Sequence, residues 1–66
     1  MQIILNGESR DVTDGLTVRA LLESLGLEPE RVAIELDGSI VRKPEWSSTA
    51  LRPGARIEVV HFVGGG

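Results

Sequence analysis

One segment of the chain has the spacing of apolar residues that is typical of an amphipathic helix. Its apolar side chains recur at i, i+3, i+4 and i+7, in the order Val18, Leu21, Leu22 and Leu25. Thr17 precedes them as a candidate N-cap, because its hydroxyl can accept a hydrogen bond from a free N–H group of the first turn. Gly26 follows at the position where a left-handed residue often ends a helix. The pattern predicts one main helix.

The other apolar segments are short and bounded by turn signals, which is typical of β-strands. The pairs Asn6-Gly7 and Asp37-Gly38 favour tight hairpin turns, since both positions of each pair tolerate positive φ. Pro53-Gly54 is a third turn signal. The predicted strands are residues 1–5, 8–12, 32–36, 40–41 and 56–63. Together with the helix they give an α+β fold, a mixed sheet of four to five strands with one helix packed across it.

Alternation along the last strand divides its side chains between two faces. Ile57 and Val59 should face the helix, which leaves Val60 and Phe62 on the open face of the sheet. An exposed apolar pair near the end of a chain indicates docking to a partner. The alternative is that the sheet curls and buries the pair. Trp46 lies in a short irregular segment, and we expect it to cover one end of a core built from Val, Ile, Leu and Ala.

Composition and charge narrow the possible functions. The net charge is −3 and the seven Lys and Arg residues are scattered, so we do not expect a nucleic-acid partner. The absence of cysteine excludes disulfides and Cys-ligated metals and fits a reducing, cytoplasmic setting. We expect no signal peptide, because the first residues lack a basic region and a long apolar stretch. We also expect no membrane helix, because no apolar run approaches about 20 residues.

We find no convincing set of catalytic side chains. The single histidine, His61, has no Ser, Cys or carboxylate at a telling spacing, and one histidine cannot hold a metal alone. We therefore assign it a packing or surface role, and we predict no catalytic residue, no metal site and no bound cofactor.

The last three residues, Gly64, Gly65 and Gly66, are the most informative feature. Without Cβ atoms, such a tail can pass through a channel that any side chain would block, and it places a carboxylate at the tip of a slender arm. A partner that uses ATP could join this carboxylate to AMP, and a sulfur donor could then displace AMP to leave a thiocarboxylate. Terminal glycines also occur as frayed ends or as linker residues left by cloning. The tail alone does not decide between these readings.

Five segments of the chain, in a fixed order, resemble one family. They are Met-Gln-Ile-Ile-Leu-Asn-Gly at the start, Thr17-Val18-x-x-Leu21-Leu22, residues 32–38, Ile40-Val41-x-x-x-x-Trp46 and residues 57–66. Taken together they resemble the ThiS family, the sulfur carrier proteins of thiamine biosynthesis. The resemblance implies a ubiquitin-like β-grasp domain over residues 1–63, with the first and last strands side by side. It also implies a flexible tail over residues 64–66.

The resemblance further implies a role and a set of partners. Gly66 would bear the adenylate and then the thiocarboxylate, and Phe62, Val63, Gly64 and Gly65 would run into the partners' clefts. The partners would be an E1-like adenylyltransferase, a sulfur donor system and thiazole synthase, with ATP used by the adenylyltransferase. The chain would then be a protein cosubstrate and no enzyme itself. Two alternatives are a carrier like the small subunit of molybdopterin synthase and a β-grasp module that binds without covalent chemistry.

Overall fold

The fold was obtained as a computed structural model, and the structure describes residues 1–62. Five strands form one sheet: β1 (Gln2–Leu5), β2 (Glu8–Asp11), β3 (Val32–Leu36), β4 (Ser39–Val41) and β5 (Arg56–His61). Their order across the sheet is β2-β1-β5-β3-β4. The first and last strands pair in parallel, and the other neighbours are antiparallel. The predicted mixed sheet with its first and last strands side by side is confirmed.

One main helix, α1 (Val18–Ser24), crosses the sheet and has the caps that its sequence predicts. The Thr17 side-chain oxygen accepts from the N–H group of Ala20 at 3.1 Å. At the other end Gly26 has φ +71, and its N–H group and that of Leu27 donate to carbonyls of the last turn. This is a Schellman arrangement, which needs a left-handed residue after the helix. Local chemistry therefore fixes both ends of the helix.

The core lies between α1 and one face of the sheet. Val18, Leu21 and Leu22 of the helix are buried, as are Ile3, Ile34 and Ile57 of the three central strands. These six residues are joined in one cluster by Leu5, Val32, Trp46, Leu51 and Ala55. The other face of the sheet has no helix over it among the described residues.

Trp46 corrects the expected composition of the core. It lies in a short 3-10 segment, Lys43–Ser48, and with 2% of its surface exposed it is the largest fully buried side chain. Its indole N–H donates to the carbonyl oxygen of Val41 at 2.8 Å. Because this hydrogen bond satisfies the indole N–H, the ring is buried without the free-energy cost of an unpaired donor. Trp46 is therefore part of the core itself, whereas the sequence predicts only that it covers one end of the core. A second 3-10 turn, Pro29–Arg31, lies in the loop before β3.

Candidate functional site

The predicted site begins at the end of β5, the central strand that leads toward the glycine residues. His61 lies opposite Val32 on β3. One residue later, the N–H group of Phe62 donates to the carbonyl oxygen of Arg31 at 2.7 Å. The end of β5 is therefore held against β3 up to Phe62. Four predicted site residues, Val63, Gly64, Gly65 and Gly66, lie outside the described residues, as does the predicted boundary between domain and tail.

The two faces of β5 alternate as the sequence predicts. Ile57 is 1% exposed beneath the helix, whereas Val60 and Phe62 are 51% and 55% exposed on the open face. The alternative, in which a curled sheet buries this pair, is wrong. We call Val60 and Phe62 the open-face pair. Their exposure beside the end of the strand is the geometry that docking requires, although docking itself stays a prediction.

The open face also contains features that the sequence did not single out. Ile40 on β4 is 64% exposed, the largest exposed fraction among the exposed large apolar side chains of the described residues. It lies opposite Glu35, which in turn lies opposite Glu58 on β5. On this face β3 therefore lies between Ile40 and the open-face pair, with Glu35 opposite Ile40 and Ala33 opposite Val60. Val60 and Phe62 are the exposed large apolar side chains at the end of β5.

Hydrogen bonds from Asn6 hold the other edge of β5 near its end. The backbone N–H of Asn6 donates to the carbonyl oxygen of Ile57 at 2.8 Å. Its side-chain oxygen accepts from the N–H group of Val59 at 2.7 Å, and its side-chain amide donates to the carbonyl oxygen of Val59 at 3.3 Å. Sequence reasoning assigned Asn6 only to a hairpin turn. The contact spans 53 positions, so no local pattern could reveal it.

No polar or charged side chain is buried within residues 1–62. His61 is exposed, in agreement with the predicted surface role. Glu28 pairs with Arg31, and Glu30 pairs with Lys43, all on the surface. Within residues 1–62 there is no group of three or more metal-ligating side chains and no helix long and apolar enough to cross a membrane.

Two surface features lie away from the end of β5. A depression of about 390 Å³ lies along β2 and is lined by Leu5, Glu8, Ser9, Arg10 and Asp11. At the start of the chain, the Met1 ammonium donates to a carboxylate oxygen of Asp14 at 3.0 Å. This hydrogen bond raises the pKa of the Met1 amine above its ordinary value of 8.0, aided by the charges of Asp14 and Asp11. Neither feature includes Val60 or Phe62 among its residues.

Comparison with known proteins gives one consistent result. The model of the ThiS family matches residues 3–66. The sulfur carrier protein ThiS of Escherichia coli is 29% identical over the full length of both chains. A crystal structure of the thiamine biosynthesis protein ThiS from Geobacter metallireducens covers all of both chains with a TM-score of 0.86 and 30% identity.

Two longer relatives match as well. Thiazole synthases of Magnetococcus marinus and Paramagnetospirillum magneticum are 42% and 39% identical over all 66 residues of the chain. The chain spans only 20% of the length of each of these relatives. A segment similar to the whole chain is therefore part of a larger protein in both cases.

Proposed function

The chain belongs to the ThiS family, and from this membership we propose that it is a sulfur carrier protein for the biosynthesis of the thiazole of thiamine. The observation that carries the proposal is the family match over residues 3–66, which includes the three terminal glycines. The full-length likeness to the E. coli protein that is named a sulfur carrier supports it. So does the β-grasp topology, in which only Phe62 and Val63 separate the central strand β5 from the glycines in the sequence.

The reacting group in this proposal is the carboxylate of Gly66. A carboxylate oxygen attacks the α-phosphorus of ATP on an adenylating enzyme, which forms the acyl-adenylate and releases pyrophosphate. A sulfide-equivalent nucleophile then attacks the acyl carbon and releases AMP, which leaves a thiocarboxylate on Gly66. Gly65 and Gly64 give the arm a cross-section without side chains. The proposal requires that Gly66 end the mature chain.

Three partners follow from this chemistry. An E1-like adenylyltransferase uses ATP to activate Gly66, a sulfur donor system supplies the sulfur, and thiazole synthase accepts it. The two thiazole synthases that contain a segment similar to this chain support the last of these partners. We assign the open-face pair, Val60 and Phe62, to docking on these proteins, with Val63 and the glycines entering their clefts.

In this role the chain is a cosubstrate that is activated, consumed and regenerated. The chemistry takes place in the active sites of its partners, so the carrier needs no catalytic side chain and no cofactor of its own. ATP enters only as the substrate of the adenylyltransferase. The absence of cysteine fits work in a reducing cytoplasm.

The terminal carboxylate can be tested by appending one alanine after Gly66. The added residue converts the Gly66 carboxylate into a peptide bond and places the new terminal carboxylate on a residue with a side chain. A cleft fitted to a glycine tail would exclude that side chain, so thiocarboxylate formation with the adenylyltransferase, ATP and sulfide should be lost. Binding to the adenylyltransferase should stay within about threefold of the unmodified chain, because the open-face pair is unchanged. Thiolation of the extended chain at an undiminished rate would contradict the proposal.

The third glycine supplies a matched control for this experiment. Deleting Gly66 leaves a chain that still ends in two glycines, Gly64 and Gly65, with a free carboxylate one residue nearer to the sheet. This variant keeps the chemistry and changes only the reach of the arm. We expect it to retain measurable thiolation, which the extended chain should lack. A non-covalent module would instead keep its binding in every variant and show no thiolation in any of them.

A further inference from the structure

The parallel partner of β5 ends before β5 does. β1 pairs with β5 only at Ile4 opposite Arg56 and Leu5 opposite Ile57. Asn6 and Gly7, with φ +49 and +83, then turn the chain away into β2. If strand pairing were the only contact, the last residues of β5, which precede Phe62, would therefore be held on the β3 side alone.

The Asn6 side chain fills the place that a further β1 residue would occupy. A primary amide has one carbonyl and an N–H donor, as a peptide group does, and here it bonds both polar groups of the Val59 backbone. The backbone N–H of the same residue bonds Ile57. Asn6 thus continues the pairing of β1 with β5 as far as Val59, although its own backbone has already turned toward β2.

A second turn of the same kind acts at the other end of β5. Asp37 and Gly38, with φ +51 and +88, join β3 to β4. The Asp37 carboxylate accepts from the N–H group of Arg56 at 2.8 Å, and the Asp37 N–H donates to the Arg56 carbonyl at 2.7 Å. Asp37 therefore holds the first residue of β5, whereas Asn6 holds its fourth residue, Val59, which is nearer in the chain to Gly66.

We infer that Asn6 is a positioning residue for sulfur transfer: its side-chain amide holds β5 at Val59 and so sets the direction in which the strand presents the residues after Phe62 to the adenylyltransferase. The inference rests on the proposed carrier function. The hairpin turn alone does not require this side chain, since glycine also satisfies positive φ there. The Asn6 amide adds hydrogen bonds to β5 on the edge that faces β1, opposite the edge that pairs with β3.

The test compares Asn6→Gly with Asp37→Gly in thiocarboxylate formation by the adenylyltransferase, with ATP and sulfide in excess. Both variants give a Gly-Gly turn and lose side-chain hydrogen bonds to β5, so they are matched in kind. We expect Asn6→Gly to lower kcat about tenfold, because fewer bound carriers present the tail in a productive geometry. KM should change less than about twofold, since β3 still holds Val60 through Ala33. Asp37→Gly should leave both constants within about twofold.

Two further measurements separate positioning from loss of stability. Circular dichroism sets a temperature at which both variants are folded, and the kinetics are compared there. Amide hydrogen exchange at Val59 should accelerate in Asn6→Gly and not in Asp37→Gly. Asn6→Asp keeps the acceptor for the Val59 N–H but loses the donor, so it should recover part of the lost kcat.

The outcomes distinguish this inference from the proposed function. If Asn6→Gly keeps the kcat of the unmodified chain, or if exchange at Val59 is unchanged, the role of Asn6 is overturned and the carrier function still stands. If kcat falls equally in Asn6→Gly and Asp37→Gly, the effect is a general weakening of β5, and the role of Asn6 is again overturned. An unmodified chain that is never thiolated overturns both.

Discussion

The two faces of β5 share one backbone but differ in what covers them. On the helix side Ile57 is packed into a closed cluster of apolar side chains. On the open side Val60 and Phe62 are about half exposed, and no described element lies over them. The helix-side face therefore stabilises the fold, whereas the open face leaves its apolar surface exposed, as the proposed docking requires. A domain this small can keep the two tasks apart because its side chains alternate along one strand.

Shortening a side chain on the helix side should have the largest effect on folding. Ile57→Ala removes buried methyl groups and leaves a cavity, so we expect a loss of about 2–5 kcal/mol in the free energy of unfolding. A domain of this size has only about 3–5 kcal/mol from its core, so the variant should be largely unfolded near 37 °C. Urea denaturation followed by circular dichroism measures this. Val60→Ala on the opposite face is the control, and an equal loss there would remove the distinction between the faces.

Shortening a side chain on the open face should affect binding more than folding. Phe62→Ala should leave the free energy of unfolding within about 0.5 kcal/mol, because the ring is exposed. Binding to the adenylyltransferase, measured by calorimetry, should weaken about tenfold, or about 1.4 kcal/mol. Ile40→Ala is the matched control, since Ile40 is also an exposed apolar residue but lies two strands away. A larger loss of affinity in Ile40→Ala would place the docking surface elsewhere.

The smallest expected effect concerns charge at the first residue, where apolar burial plays little part. The raised pKa of the Met1 amine means that its contact with Asp14 stabilises the fold fully below pH 8.0. This contribution is lost as the pH rises through the higher pKa of the folded state. The difference in unfolding free energy between the unmodified chain and Asp14→Ala should therefore shrink well above pH 8.0.

Asp11→Ala is the control for this measurement. Asp11 lies 3.8 Å from the ammonium, whereas Asp14 is at 3.0 Å. The pH-dependent difference should therefore be smaller for Asp11→Ala. A difference for Asp14→Ala that does not vary with pH would show that the contact contributes nothing through charge.

The helix and turns could be predicted from the sequence because their signals are local. Thr17 and Gly26 bound α1 through groups a few residues away, and the Asn6 and Asp37 turns need only positive φ. The alternation of β5 also predicted the exposure of Val60 and Phe62. The pairing of β1 with β5 came from the resemblance, since strand adjacency is not a property of either segment alone.

The features that could not be predicted from the sequence depend on contacts between residues that are far apart in the chain. The hydrogen bonds from Asn6 to Val59 exist only because the first and last strands are neighbours in the sheet. The burial of Trp46 likewise depends on the Val41 carbonyl being placed to accept its indole N–H. Ile40 was overlooked because a short edge strand gives too few residues for an alternation to be read.

The central claim is that the Gly66 carboxylate carries sulfur, and intact mass spectrometry tests it most directly. The unmodified chain is incubated with ATP, a sulfide source and its adenylyltransferase. Its intact mass is then measured, and the chain is fragmented to locate any change. The account predicts a mass increase that matches replacement of one oxygen by sulfur, located at Gly66. An unchanged mass, obtained with an adenylyltransferase that thiolates another carrier under the same conditions, would contradict it.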